Sequence, residues 1–178
     1  MKRLLLFAGL PGVGKSTISR GVSKKTDTMI VDLDDFKKTD VDPVLVKHEI
    51  DPPDLRWSYY QKALEYVFGR FDEGLEVAIM DEVFHLHSLR TQLESCCVDR
   101  HVQVTWIEIQ CPYEVVKKRL QATARTGHIL TTEESLNMYL RFQDIFEAFP
   151  ASTENRITVN NEGGADIDSL VDWILSRG

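Results

Sequence analysis

Short runs of apolar residues, many of them β-branched, alternate along the chain with longer segments of helical periodicity. The apolar runs are typical of strands that are buried on both faces of a sheet, and they fall at about residues 3–8, 28–31, 77–80, 101–109 and 156–159. The segments between them place an apolar residue every three or four positions, and they span about residues 17–23, 55–71, 86–98, 112–124, 131–149 and 167–175. This alternation predicts a parallel sheet with right-handed crossovers and with helices on both faces.

Two of the predicted helices have recognisable ends. Pro112 suits the first position of its helix, where the missing N–H is not needed. Thr131 and Glu134 have the spacing of a capping box, and Pro150 is expected to end the helix that this box begins. Residues 39–54 contain three prolines and predict a loop or short irregular helices.

The length and composition fit one ordinary globular domain. With 178 residues, of which 43% are hydrophobic and 28% charged, the chain can bury one substantial core, so we treat residues 1–178 as a single domain. The formal net charge of -7 disfavours a long nucleic acid as the partner, although a local basic groove is not excluded. Nothing in the composition predicts an oligomeric state.

The N-terminal residues and the cysteines favour a cytoplasmic protein. Residues 1–8 superficially resemble a signal peptide, but the apolar run stops without a small-residue cleavage site, and we interpret it as the first strand. Cys96, Cys97 and Cys111 have neither metal-ligand spacing nor a disulfide framework. We therefore expect buried thiols in a reducing compartment, and no membrane-spanning segment.

A glycine-rich stretch with the features of a phosphate-binding loop follows the first predicted strand. Residues 9–16 read Gly-Leu-Pro-Gly-Val-Gly-Lys-Ser and match the pattern G-x-x-x-x-G-K-[ST] at every defined position. An ordinary glycine turn is the alternative, but the strand before the loop and the helix after it favour nucleotide binding. The residues expected to contact the nucleotide are Gly9, Pro11, Gly12, Val13, Gly14, Lys15, Ser16 and Thr17.

The last two residues of this loop supply a charge and a metal ligand. Lys15 carries an ammonium group suited to the β- and γ-phosphates, and Ser16 carries a hydroxyl suited to Mg²⁺. The helix that begins near Lys15 adds its positive N-terminal dipole at the same place. The sequence thus predicts ATP and Mg²⁺ as cofactors. The absence of a guanine-reading Asn-Lys-x-Asp motif favours ATP over GTP.

An acidic cluster follows the second predicted strand. Asp32, Asp34 and Asp35 lie where the carboxyl end of a parallel strand opens onto the ligand crevice. A carboxylate there can accept the proton of an acceptor hydroxyl during phosphoryl transfer, and Asp34 is our preferred general base. Asp32 and Asp35 are the competing candidates, and capping of the next segment is the structural alternative.

The third predicted strand also ends in acidic residues. Asp81 is placed to hold Mg²⁺ through water, as carboxylates that follow an apolar strand do in many nucleotide-binding enzymes. Glu82 is the alternative ligand, or a residue that contacts the acceptor. A solvated strand end is the structural alternative for both.

Arg119 and Arg125 flank a break in helical periodicity at residues 126–128. Guanidinium groups on a mobile segment can reach a transferring phosphoryl group when both substrates are bound, which predicts a lid. A solvated basic helix face is the alternative.

Other residues are weaker candidates for the acceptor site. His85 and His87 suit an acceptor site or the surface better than a metal site, because no third ligand accompanies them. Arg56 and Lys37 have the charge to meet an anionic acceptor. Several aromatic residues at helical spacing line either the acceptor pocket or the core, namely Tyr59, Tyr60, Tyr139 and Phe142.

The order of these motifs resembles a group of small AAA-type ATP-binding P-loop kinases. This group includes the chloramphenicol phosphotransferase and zeta-toxin families, the 5′-hydroxyl polynucleotide kinases and the nicotinamide riboside kinases. Three segments carry the resemblance beyond the loop, at residues 34–37 (Asp-Asp-Phe-Lys), 79–83 (Ile-Met-Asp-Glu-Val) and 109–119 (Ile-Gln-Cys-Pro-Tyr-Glu-Val-Val-Lys-Lys-Arg). Lys37 departs from the arginine that is usual in the polynucleotide kinases and zeta toxins.

The resemblance implies an α/β, three-layer P-loop NTPase fold. Its five-stranded parallel sheet would have the kinase-type order 2-3-1-4-5, with helices on both faces. It also implies a small lid at about residues 119–132 and an acceptor-binding region at about residues 36–57.

The resemblance also assigns roles to individual residues. It supports Asp34 as the general base, places Arg119 near the adenine or the phosphates, and makes Arg125 a lid arginine. The loop that contains Asn160 and Asn161 would lie beside the nucleotide base.

We therefore expect an ATP- and Mg²⁺-dependent kinase that phosphorylates a hydroxyl of a small molecule. A polynucleotide 5′-hydroxyl kinase or a zeta-toxin-like nucleotide-sugar kinase is the alternative within the same class. A binding module that hydrolyses ATP slowly and signals through its lid is a further alternative, although such a switch has no need of an acceptor base. The sequence does not name the acceptor.

Overall fold

Within the part of the chain that the computed structural model describes, residues 1–33, 50–122, 131–163 and 166–177, five parallel strands form one sheet in the order β2-β3-β1-β4-β5. The strands are β1 (Arg3–Ala8), β2 (Met29–Asp32), β3 (Val77–Asp81), β4 (Gln103–Gln110) and β5 (Arg156–Asn160). The predicted parallel sheet and its kinase-type order are confirmed.

Helices cover both faces of the sheet. They are α1 (Lys15–Thr26), α2 (Pro53–Asp72), α3 (His87–Asp99), α4 (Tyr113–Ala122), α5 (Thr132–Ile145) and α6 (Ile167–Arg177). One core packs α2 and α3 against the sheet around Trp106, and the other packs α1, α4 and α6 around Ile107. Because Trp106 and Ile107 are consecutive in β4, they point to opposite faces and anchor the two cores of a three-layer fold.

The strand register brings the polar strand ends together at one edge of the sheet. Phe7 of β1 pairs with Asp81 of β3, and Asp32 of β2 pairs with the same Asp81. On the other side of β1, Ala8 pairs with Glu108 of β4. The loop that leaves β1 therefore begins between two acidic strand ends.

The capping box is confirmed, but the predicted end of helix α5 is wrong. The Thr131 hydroxyl accepts from the backbone N–H of Glu134, whose carboxylate in turn accepts from the N–H of Thr131. The helix ends at Ile145, five residues before Pro150. The backbone of Glu147 instead donates to the carbonyl of His85 at 2.9 Å, so a tertiary hydrogen bond replaces further helical ones.

Arg90 fastens this non-helical segment to the loop after β3. Its guanidinium is buried and donates to the carbonyls of Phe84 and Glu147 at 2.8 Å each, and to that of Ala148 at 3.3 Å. It also lies 4.1 Å from the ring centre of Phe149. One cation thus satisfies carbonyls from two loops that have no partners in a helix or strand.

Two of the three cysteines, Cys97 and Cys111, are buried as expected, whereas Cys96 is half-buried. Cys96, Cys97 and Cys111 are free thiols, and burial raises the pKa of Cys97 to about 12. Among the described residues, none of the helices has the length and apolarity that crossing a membrane requires.

Replacing Arg90 by Met should lower the free energy of unfolding by about 2–4 kcal/mol, because the buried carbonyl of Phe84 and the partly buried carbonyls of Glu147 and Ala148 lose their charged donor. Urea denaturation followed by tryptophan fluorescence measures the change. Arg70→Met is the matched control, since Arg70 is exposed and pairs with Glu73 at the surface, and it should change stability by less than about 0.5 kcal/mol. Equal losses in the two variants would contradict the role given to Arg90.

Candidate nucleotide and acceptor site

The glycine loop between β1 and α1 is packed so closely that two of its positions exclude a side chain. At Gly9 a Cβ atom would stand 2.4 Å from the carbonyl oxygen of Ile109 in β4. At Gly14, whose φ is +100°, a Cβ atom would stand 2.4 Å from Nδ2 of Asn161. The loop backbone therefore rests on the end of β4 and on the loop after β5, which fixes the direction of its N–H groups.

Lys15 begins helix α1 and turns back over the start of the loop. Its ammonium donates to the carbonyl of Gly9 at 2.9 Å and to that of Leu10 at 3.1 Å. The side chain is half-buried, so the ammonium is held at the mouth of the loop and still borders solvent. This is where the β- and γ-phosphates of a nucleotide bound by the loop would arrive.

Asp81, Ser16 and Ser19 form the candidate metal site. The Ser19 hydroxyl donates to the Asp81 carboxylate at 3.1 Å. Burial raises the pKa of Asp81, while the Lys15 ammonium and the hydroxyls of Ser16 and Ser19 oppose this shift and the carboxylate of Asp32 adds to it. A hydroxyl and a carboxylate brought together are hard oxygen ligands of the kind that Mg²⁺ takes, so these residues fit the metal. Thr17 is exposed on the first turn of α1.

Four residues from our sequence predictions lie outside the described part of the chain. They are Asp34, the preferred general base, its neighbour Asp35, the acceptor-site candidate Lys37, and the lid arginine Arg125. Their roles stay predictions. Asp32, the competing base, is described and exposed at the end of β2, beside Asp81 in the register.

The side chain that joins the loop after β5 to the phosphate-binding loop is Asn161. Its buried carboxamide donates to the carbonyl of Val13 at 2.8 Å, and its backbone N–H donates to the carbonyl of Gln110 at 2.7 Å. The resemblance placed the loop with Asn160 and Asn161 beside the nucleotide base, and Asn160 was the residue we expected to contact the nucleotide. Asn160 is exposed at the end of β5, and its role stays a prediction. The contacts of Asn161 with the phosphate-binding loop were not predicted.

Arg119 lies beside the same carboxamide. Its guanidinium donates to Oδ1 of Asn161 at 3.3 Å and to the thiol of Cys111 at 3.7 Å. Asn161 therefore connects Arg119 with the phosphate-binding loop through a single side chain. Arg119 thus lies one side chain away from the loop, and its predicted role beside the adenine or the phosphates stays a prediction.

Arg56 and Glu82 form a buried ion pair close to the end of β3. The guanidinium of Arg56 donates to the Glu82 carboxylate at 2.7 Å and lies 5.5 Å from the ring centre of Phe142. Burial is the largest single influence and lowers the pKa of Arg56, but Glu82, Tyr60 and Asp51 together outweigh it, so the pKa is raised. Tyr60 is buried in the same cluster, and burial raises the pKa of its hydroxyl. The charge of Arg56, proposed from the sequence to meet an anionic acceptor, is therefore already matched.

The two histidines occupy different environments. His85 is buried against the ring of Phe142, with 5.0 Å between ring centres, and burial, reinforced by the charge of Arg56, lowers its pKa to about 4. His87 is exposed on the first turn of α3, where its backbone N–H donates to the Glu147 carboxylate. They do not form a shared metal site.

A cavity of about 260 Å³, which we call the loop–α5 cavity, lies between the start of the phosphate-binding loop, the end of β4 and helix α5. Leu10 and Phe146 contribute apolar walls, and Glu108, Gln110 and Gln143 contribute polar groups. Tyr139, an aromatic candidate from the sequence, lines the cavity, and its hydroxyl donates to the carbonyl of Cys111 at 2.9 Å.

The sheet order and the glycine loop after its central strand define a P-loop NTPase fold in the kinase arrangement. Residues 4–144 match the AAA_33 family, whose description is AAA domain, and the chain belongs to this family. The match does not distinguish the chloramphenicol phosphotransferase or zeta-toxin families, so that finer resemblance stays a prediction. No curated protein matches the chain.

Solved structures share this fold over nearly the whole chain. A sugar kinase from Janibacter sp. HTCC2649 has a TM-score of 0.75 and 21% identity, with 99% of this chain and 94% of that chain covered. A gluconokinase from Sinorhizobium meliloti 1021 has a TM-score of 0.68 and 16% identity, with coverages of 97% and 89%. The APS kinase of Mycobacterium tuberculosis, in complex with AMPPNP and APS, has a TM-score of 0.67 and 16% identity, with coverages of 98% and 96%.

Replacing Asn161 by Ala should weaken ATP binding about tenfold, because the loop loses its bond at Val13 and Arg119 loses its acceptor. Calorimetric titration with ATP measures the affinity, and urea unfolding reports any separate loss of stability. Thr158→Ala, exposed on β5, is the control and should bind ATP like the unchanged protein. The assignment is wrong if the two alanine variants weaken binding equally.

The low pKa of His85 should make stability depend on pH. Its folded-state pKa of about 4 lies below its ordinary value of 6.5, so between these pH values the unfolded chain binds more protons than the folded chain. Stability should therefore fall as the pH decreases from about 7 toward 4. His85→Gln should make this fall shallower, by at most about 1.4 kcal/mol per pH unit. Urea unfolding at several pH values measures the slope, which should stay unchanged in the exposed control His87→Gln.

Proposed function

We propose that this protein is an ATP- and Mg²⁺-dependent kinase that transfers the γ-phosphate of ATP to a hydroxyl of a small molecule. The observation that carries the proposal is the convergence of Lys15, Ser16 and Asp81 at the mouth of the glycine loop. The ammonium can bind the phosphates of a nucleoside triphosphate, and the hydroxyl and the carboxylate can bind its metal ion.

The related structures support the kinase class. Three of them are named as a sugar kinase, a gluconokinase and an APS kinase, and the last was solved with AMPPNP bound. Each name refers to a kinase with a small-molecule substrate, and each chain is covered almost completely. The shared sheet order places the glycine loop between the acidic ends of β3 and β4 in this protein.

Each of these residues has a separate role in the proposed phosphoryl transfer. The loop N–H groups and Lys15 hold the phosphates, and Arg119 stabilises the charge that develops on the transferred group, assisted by the lid residue Arg125. Ser16 and Asp81 would hold Mg²⁺, which would neutralise part of the phosphate charge. Asn161 positions Arg119 and the loop relative to each other.

The acceptor hydroxyl gives its proton to the carboxylate of Asp34. The freed oxygen forms a new bond to the γ-phosphorus, while the bond from that phosphorus to the bridging oxygen of the β-phosphate breaks and ADP leaves. The only reactants of this step are therefore ATP and the alcohol.

The test is a screen for ATP consumption over sugars, polyols, amino alcohols and nucleosides, followed by Asp34→Asn. With an acceptor that stimulates ADP formation, this variant should bind ATP normally and transfer phosphate about 10²–10⁴-fold more slowly, because it lacks the proton acceptor. Asp35→Asn is the adjacent control and should retain most activity. Unchanged transfer in Asp34→Asn would remove Asp34 from its role, and ATP turnover that none of the alcohols stimulates would contradict the kinase proposal.

A further inference from the structure

We infer that the loop–α5 cavity holds the phosphate acceptor and that this acceptor is hydroxylated and carries no net negative charge. The inference rests on the proposed kinase function and specifies its substrate class. It depends on the position of the cavity, on its size, and on the charges of the described residues that line it.

The cavity shares a wall with the phosphate-binding loop. Gly9 and Leu10 line it, and the carbonyls of the same two residues hold the ammonium of Lys15 at 2.9 and 3.1 Å. A molecule in the cavity therefore lies against the segment that positions the cation for the γ-phosphate. The cavity is thus adjacent to the position proposed for the γ-phosphate.

The size and lining suit a small, partly polar molecule. The volume of about 260 Å³ is close to the lower end of the range for ligand pockets, roughly 300–1,000 Å³. Leu10 and Phe146 supply apolar contact, while the amides of Gln110 and Gln143 offer both donors and acceptors. Paired donors and acceptors of this kind match hydroxyl groups, which both donate and accept.

The charges of the lining disfavour an anion. Among the described residues that form it there is no Lys, Arg or His, and the one carboxylate is that of Glu108. This carboxylate is itself matched, by the amide of Gln110 at 2.9 Å and the guanidinium of Arg156 at 3.6 Å. An anion placed there would lose water and find no unmatched positive charge, which is unfavourable.

Tyr139 and Cys111 add no charge to the lining of the cavity. Burial raises the pKa of each, so both line the cavity as neutral groups at pH 7. The nearby buried cation Arg56 is paired with Glu82 at 2.7 Å. An uncharged polyol or sugar therefore fits the cavity better than a carboxylate or a sulfate ester does.

The experiment uses the full chain, ATP and a small-molecule cell extract cleared of nucleotides and split on an anion-exchange resin. ADP formation should be stimulated by the flow-through, which contains neutral and cationic compounds, and not by the retained anions. Stimulation by the retained fraction alone would overturn the inference and leave the kinase proposal intact. Stimulation by neither fraction, with ATP binding preserved, would contradict the kinase proposal and the inference together.

A variant that fills the cavity tests its position. Gln143 is exposed on α5 and lines the cavity, so Gln143→Trp should fold normally and narrow the cavity. Stimulation by the flow-through should fall at least about tenfold, with ATP affinity unchanged within about twofold, because only the acceptor is displaced. Leu140→Trp, on the exposed face of the same helix, is the matched control and should leave stimulation unchanged. Full stimulation in Gln143→Trp would show that the acceptor binds elsewhere.

Discussion

The phosphate-binding loop keeps its shape because the backbone of β4 and a side chain from the loop after β5 lie where its own side chains would be. Ile109 in β4 occupies the space beside Gly9, and Asn161 after β5 occupies the space beside Gly14. Asn161 then adds a hydrogen bond to Val13 at the middle of the loop. The sheet therefore holds the loop, and N–H groups that are fixed before the ligand arrives need no reorganisation to bind phosphate.

Two pairs of opposite charges lie around this rigid loop, and the pairs differ in how deeply they are buried. Lys15 and Asp81 lie at its mouth, in partial contact with solvent, where their charges are accessible to phosphate and metal. Arg56 and Glu82 lie deeper and neutralise each other. Because a buried charge is stable only when it is matched, the deeper pair stabilises the walls of the site, and the shallow groups are the ones to which we assign the proposed chemistry.

The sheet and the loop could be predicted because their signals are local. A strand buried on both faces appears as one apolar run, and the loop pattern lies within eight consecutive residues. The ion pair between Arg56 and Glu82 could not, since 26 residues separate its members and no periodic pattern joins them. The early end of α5 has a similar origin. The carbonyls of Glu147 and Ala148 accept from Arg90, and the N–H of Glu147 donates to His85, so the segment depends on residues that are distant in the sequence.

The inward position of Asn161, in contrast, could have been predicted from the sequence. Ile157 and Val159 alternate as the buried residues of β5, and the same period of two assigns Asn161 to the inner side and Asn160 to the outer side. Strand alternation therefore continues one residue beyond the strand. This alternation is the sequence signal that distinguishes Asn161 from its neighbour Asn160.

The end of β4 is the wall that the nucleotide side and the acceptor side have in common. Ile109 packs under Gly9, Cys111 accepts from Arg119 through its thiol and from Tyr139 through its carbonyl, and Glu108 lines the loop–α5 cavity. A substitution in this strand end therefore alters both sides at once. Helix α5 contributes Gln143 to the cavity, whereas the groups that hold the loop come from β4 and from the loop after β5. If the cavity holds the acceptor, as proposed, substitutions in α5 can change acceptor preference while the loop keeps its geometry.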